Sequence, residues 1–196
     1  LPLLAVDDEI HALACRHLLR TWRDQAGDYT PQDWRVSLTS TRMFRMLSFI
    51  DYLVADIDGP ERQDIFDLLA RQARHLGRSL RRQKSDNMPS HLMAQILCAL
   101  CLPEDRLVGA PETVRLEKAL APIAGGVIPS SWRDPQKAIE AGAEMHSLLE
   151  AFTARRLSPP YELKEALKVV RLYLGGFFSV SGTMVQLPQQ HIPDLR

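Results

Sequence analysis

The sequence has no apolar run approaching the roughly 20 residues that a membrane-spanning helix needs. It also lacks the basic, apolar and small-residue succession of a signal peptide at its start. Net charge is missing as well, because 24 Lys and Arg balance 24 Asp and Glu. The chain as a whole therefore has no pull on nucleic acid or an anionic surface, and any anion binding must come from local clustering. The three cysteines, Cys15, Cys98 and Cys101, do not make a disulfide framework. None of the six histidines belongs to H-E-x-x-H or another strong ligand pattern. His11 and Cys15 are four residues apart, but further ligands are lacking nearby, so neither metal nor cofactor is expected. G-x-S-x-G, G-x-G-x-x-G and the P-loop are all absent.

What remains is a composition of 45% apolar and 24% charged residues over 196 positions, that of a soluble globular protein with a real core. Hydrophobic periodicity and Pro, Gly and Asp punctuation predict helices over about Asp7–Ala26, Arg35–Ala55, Pro60–Arg82, Pro89–Leu102, Glu112–Ala124, Pro135–Arg156 and Pro160–Leu174. The third is strongly amphipathic, with Ile65, Phe66, Leu69, Ala73, Leu76 and Leu80 on one face. The fourth is apolar nearly all round and should be buried. Short connections imply antiparallel hairpins. The expected fold class is all-α, with residues 1–176 helical. Residues 177–196, which include FFSVSGTMVQL, carry a strand or hairpin signal and then a linker-like tail.

Three polar features stand out. The first is RQARHLGRSLRRQK, which places Arg71, Arg74, Arg78, Arg81 and Arg82 on one band opposite the apolar face. Such a band holds a polyanion or is simply solvated. Nucleic acid is not expected, since no binding motif accompanies it. The second is C-x-x-C at Cys98 and Cys101. It sits late in an apolar helix rather than at the helix N-terminus that activates a thiol, so both read as core cysteines. The third is AGGVIPSSWRDPQKAIE, where a Gly-Gly break leads to a short polar loop and Asp134-Pro135 opens a helix. Trp132 and Arg133 in that loop either border a binding groove or pin the turn.

Four stretches together resemble the heparinase II/III family, and more closely its alphaproteobacterial branch. They are DWRVSLTSTRMFRML with Trp34 and Arg42, DIFDLLARQARHLGRSL, AGGVIPSSWRDPQKAIEAGAEMHSLLEAFTARRLSPP, and LYLGGFFSVSG. They run in the family's order over about Asp33 to Gly182. The resemblance implies a bacterial protein, its compartment (periplasm or cytoplasm) left unknown, whose helices form an α/α toroid ahead of a β-sandwich domain. On this reading the chain is the toroid or much of it, cut just after the first β strand. It also implies polysaccharide lyase chemistry, the β-elimination of uronate-containing glycans, and an acidic polysaccharide such as a glycosaminoglycan as partner.

Elimination needs the uronate carboxylate neutralised, a base for the adjacent proton, and an acid for the leaving oxygen. The family neutralises with an Asn just before a helix-start His, and it uses a Tyr after the Gly-Gly turn and a His from the β domain. Carried over, the Asn-His pair falls on Ser90 and His91, and the Tyr falls near Lys137. Val127 stands where a His usually follows Gly-Gly. His91 is the one matched catalytic candidate, against a structural hydrogen-bonding role for the same residue. Ser90, Lys137, Trp132 and Arg133, with Arg74, Arg78 and Arg81, are the candidate substrate contacts. Trp132 stacks on a sugar or packs over helix ends. Trp34 and Arg42 read as packing contacts ahead of substrate contacts. The family reading is a toroid domain inactive as an isolated chain. The alternative is a non-catalytic helical module that binds an acidic glycan or a protein partner.

Overall fold

The computed structural model describes residues 9–26, 28–55, 57–82, 89–102 and 110–177. Every regular element among them is helical: α1 (Glu9–Ala26), α2 (Val36–Ser48), α3 (Ile50–Val54), α4 (Gly59–Arg82), α5 (Pro89–Cys101), α6 (Ala110–Ala124), a 3-10 turn (Ser130–Arg133), α7 (Pro135–Ala154) and α8 (Tyr161–Gly175). The strand or hairpin expected over 177–196 lies outside the described residues, except that Phe177 is buried just after α8.

Helix α5 decides the packing. Its sequence PSHLMAQILCALC offers no polar face, and residues 91 to 98 are all buried. A helix apolar all round has to be enclosed, and α5 is, with α2, α4, α6 and α7 against it. Around this axis the other helices each bury one stripe. On α4 the stripe is Ile65, Leu68, Leu69, Gln72, Ala73, Leu76, Gly77 and Leu80, spaced by one, three and four as a single face requires. Phe66, expected on that face, is half-buried at its edge. Helices α6 and α7 both pack on α8. The α7–α8 contact is close because Gly142 faces Val170, where an added Cβ would come within 3.2 Å of Val170 Cγ1.

Two local departures have clear causes. The single helix expected over 35–55 breaks at Phe49, whose φ of −128° is not helical. The short α3 that follows turns its Leu53 and Val54 inward and packs on α1. The turn after α6 closes with bonds from the amides of Gly126 to Ile123 O (2.9 Å) and Val127 to Pro122 O (2.9 Å). It needs glycine at 126, where φ is +93°. Pro135 occupies the start of α7, and the Asp134 carboxylate accepts from Gln136 N at 3.0 Å, as the Asp-Pro signal implied.

The cysteines behave as core residues. Cys98 is buried, and burial drives its thiol pKa far up, while Cys101 is half-buried and also raised. Neither is a thiolate at neutral pH.

Because α5 is enclosed, truncating Met93, fully buried at its centre, should destabilise by about 2–5 kcal/mol. Urea unfolding of Met93→Ala, with helical circular dichroism retained in the native baseline, checks this.

Candidate functional site

A cleft of about 370 Å³ opens where α2, α5, α7 and the 3-10 turn meet. Helix geometry explains its walls. On α7, Lys137, Glu140, Ala141 and Glu144 recur at intervals of three and four and so form one stripe. On α2, Ser37, Ser40 and Thr41 do the same. Ser90 and His91 enter from the first turn of α5, and Ser131 and Trp132 close one end. Lys137, Glu140, Ser37, Thr41 and Ser131 are exposed at the rim, while Ser40, His91, Ala141 and Trp132 are buried.

Four residues singled out from the sequence therefore meet here: Ser90, His91, Trp132 and Lys137. Arg133 is exposed on the same turn but is not among the lining residues. Arg74, Arg78 and Arg81 are exposed on α4 and do not line the cleft. Their band is interleaved with acids. Arg71 and Arg74 border a separate depression of about 590 Å³ with Asp28, Asp64 and Asp67, and Arg81 lies 3.9 Å from Glu112. Trp34 and Arg42 make packing contacts, and Arg42 also lines a depression of about 390 Å³ with Trp22 and Asp33. Trp34 is buried against Tyr29 and His75. The Arg42 guanidinium donates to Asp33 O (2.7 Å) and Gln72 Oε1 (3.2 Å) and lies over the Trp22 ring.

The electrostatics of the cleft are set by burial. Desolvation holds the His91 imidazole below its ordinary pKa. Its Nδ1 is sealed from solvent and has no hydrogen-bond partner, so a structural bond through that atom is not made. Burial pushes the Glu144 carboxyl up, against the opposing pull of the Ser90 hydroxyl. Its Oε2 is likewise sealed and unpartnered. Arg45 Nη2 lies 3.9 Å from Glu140 Oε1, a pair that is half in solvent. The floor thus offers a neutral imidazole, a partly occupied carboxyl group and serine hydroxyls, and the rim offers an ammonium.

Trp132 is only 8% exposed. It belongs to the core as much as to the cleft, which leaves too little of the indole for a sugar to stack on. Its carbonyl accepts from Tyr173 Oη at 3.1 Å, so that phenol is engaged away from the cleft. A second, more apolar depression of about 450 Å³ adjoins the first, sharing Ser90, Ser131 and Trp132 and lined also by Pro89, Ile123 and Val127.

Sequence reasoning missed Glu144, Glu140 and Ser40. The available signal was the α7 stripe itself, in which charged residues share a face with Ala141 beside the buried Ala138. Among the described residues, no group of three or more His, Cys, Asp or Glu side chains is placed to hold a metal, and no helix is long and apolar enough to cross a membrane. Compared with protein-family models, curated proteins and solved structures, the chain has no match.

The two buried titrating groups make opposite contributions to stability. A histidine whose folded pKa is depressed binds its proton better when unfolded. Stability should therefore fall as pH drops from 6.5, the ordinary value, through the folded value of His91. A carboxyl whose folded pKa is raised contributes stability that is fully present below 4.5 and lost as pH rises through the folded value of Glu144. Urea midpoints measured across this range should lose the first slope in His91→Gln and the second in Glu144→Gln.

Proposed function

We propose that this chain is the helical, glycan-binding portion of a heparinase II/III-like polysaccharide lyase, its helices forming part of an α/α toroid. In this reading the cleft between α2, α5 and α7 holds a uronate-containing chain. The observation that carries it is convergence. Ser90 and His91 begin α5, and Lys137 lies in the first turn of α7, yet all three line one cleft. These are the positions onto which the family's Asn, His and Tyr map. All-helical structure over the described residues is also the form expected of a toroid portion.

The chemistry follows from the side chains present. The Lys137 ammonium is a point charge suited to a uronate carboxylate. Neutral His91 can accept a proton, the first requirement of elimination. The Ser90 hydroxyl is a poor substitute for an amide that must hold a developing double charge. No tyrosine lines the cleft. The chain alone therefore binds the glycan without cleaving it.

A second reading, a non-catalytic module for an acidic glycan or a protein partner, is favoured by the replacement of the family's Asn and Tyr by Ser90 and Lys137.

Titration calorimetry with uronate oligomers tests both readings. The wild-type chain should bind, and Lys137→Glu should bind at least tenfold more weakly, about 1.4 kcal/mol. Absorbance of unsaturated uronate ends should not rise. If Arg78→Glu abolishes binding and Lys137→Glu does not, the α4 band is the surface and the cleft reading is wrong. Unsaturated products from the wild-type chain would overturn the assignment as a binding portion only.

A further inference from the structure

Two helix stripes line an open seam between α1 and α2. On α1 the stripe is Cys15, Leu18, Leu19 and Trp22, and on α2 it is Leu38, Thr41, Arg42 and Arg45. Both are spaced by three, one and three, the face that a helix turns toward a partner. The stripes do not close on each other. They leave a groove of about 390 Å³, within the size range of small-molecule sites. Leu19, Met46 and Leu53 are buried at its base, while Leu18 and Leu38 stand 52% and 46% exposed at its mouth. One exposed leucine needs no account. Two on one groove, together with a half-buried tryptophan, are apolar surface gathered in one place.

A charge is set into this apolar wall. The Arg42 guanidinium donates from Nε to Gln72 Oε1 and from Nη2 to Asp33 O, and it lies 5.1 Å from the centre of the Trp22 ring. Its bonds thus go to neutral oxygens. Its Nη1 makes no hydrogen bond and is not sealed from solvent. Burial lowers its pKa, with the nearby Asp33 charge opposing that. The Asp33 carboxylate accepts from Thr30 Oγ and is not bonded to the guanidinium. Arg42 has therefore lost water without gaining a carboxylate. Arg45 follows one turn later, with Glu140 at 3.9 Å in a pair that is half in solvent.

We propose that this groove binds a small apolar monocarboxylate, such as a medium-chain fatty acid, with its chain against the leucines and Trp22 and its carboxylate on Arg42. The site is separate from the α2, α5 and α7 cleft and does not depend on the glycan-binding reading. The apolar walls disfavour a sugar, whose hydroxyls would lose water there without gaining partners. A carboxylate matches the planar guanidinium in shape. One negative charge fits better than the two of a phosphate monoester, because Asp33 also borders the groove. Arg45 adds a second positive charge at the mouth and draws an anion in.

The test is calorimetry on the full chain with decanoate and with decanol, its uncharged counterpart. Decanoate should bind about tenfold more tightly than decanol. Arg42→Met should weaken decanoate about tenfold and leave decanol unchanged, a split that general loss of structure does not produce. Leu18→Asp, at an exposed position, should weaken both about tenfold. Lys137→Glu should leave decanoate binding as it is. No heat from decanoate, equal affinity for acid and alcohol, or unchanged decanoate affinity in Arg42→Met would each overturn the site. If Arg42→Met does not fold, unchanged decanoate affinity in Leu18→Asp overturns it instead. Weakening by Lys137→Glu would put the acid in the other cleft and also overturn it. So would a dimer in sedimentation that Leu18→Asp dissociates, since the groove would then belong to a second copy of the chain.

Discussion

The molecule depends on the enclosure of one helix. With no polar face to leave in water, α5 forces α2, α4, α6 and α7 around it, and α8 is placed in turn by α6 and α7. The site is a by-product of that enclosure. Where the α5 axis begins, Ser90 and His91 are the first residues of the helix to come between α2 and α7. The polar start of a greasy helix is thus held at a place where two neighbours part enough to leave a cleft. Stability and site geometry share this element, so residues deep in α5 keep the cleft open although they do not line it.

Polar groups in this setting carry tension. Desolvation opposes charge on both His91 and Glu144, and the Ser90 hydroxyl relieves only part of that for the carboxyl. Such groups are expensive for a fold to keep. The arginines on α4 are a contrast. They are exposed, and acids lie among them at Asp64 and Asp67 on the same helix and at Glu112 on α6. Density of charge in sequence is a weaker guide to a site than burial of a few polar atoms in space.

The helical architecture was legible because its signals are local. The α4 stripe, the apolar run of α5 and the Asp134-Pro135 start each lie within a few turns of sequence. The break at Phe49 was not legible, because MFRMLSFIDYLV reads as continuous helix and only the packing of α3 on α1 bends it. Ser90, His91 and Lys137 came from a resemblance rather than from chemistry visible in their own neighbourhoods. Glu144 and Ser40 escaped for a related reason. A glutamate or serine on a helix reads as solvated until a second helix covers it, and that cover is supplied by chain about a hundred residues away. Trp132 was read as either a stacking platform or a pin, and its burial places it nearer the pin.

The bond from Tyr173 to the carbonyl of Trp132 has a mechanical meaning. One wall of the cleft is tethered to the last described helix, and the ring of Tyr173 rests edge-on against Phe177, 4.9 Å between centroids. The phenol binds the backbone of the turn rather than the indole itself. The 3-10 turn at the cleft wall and the exit of α8 are thus joined through one phenol.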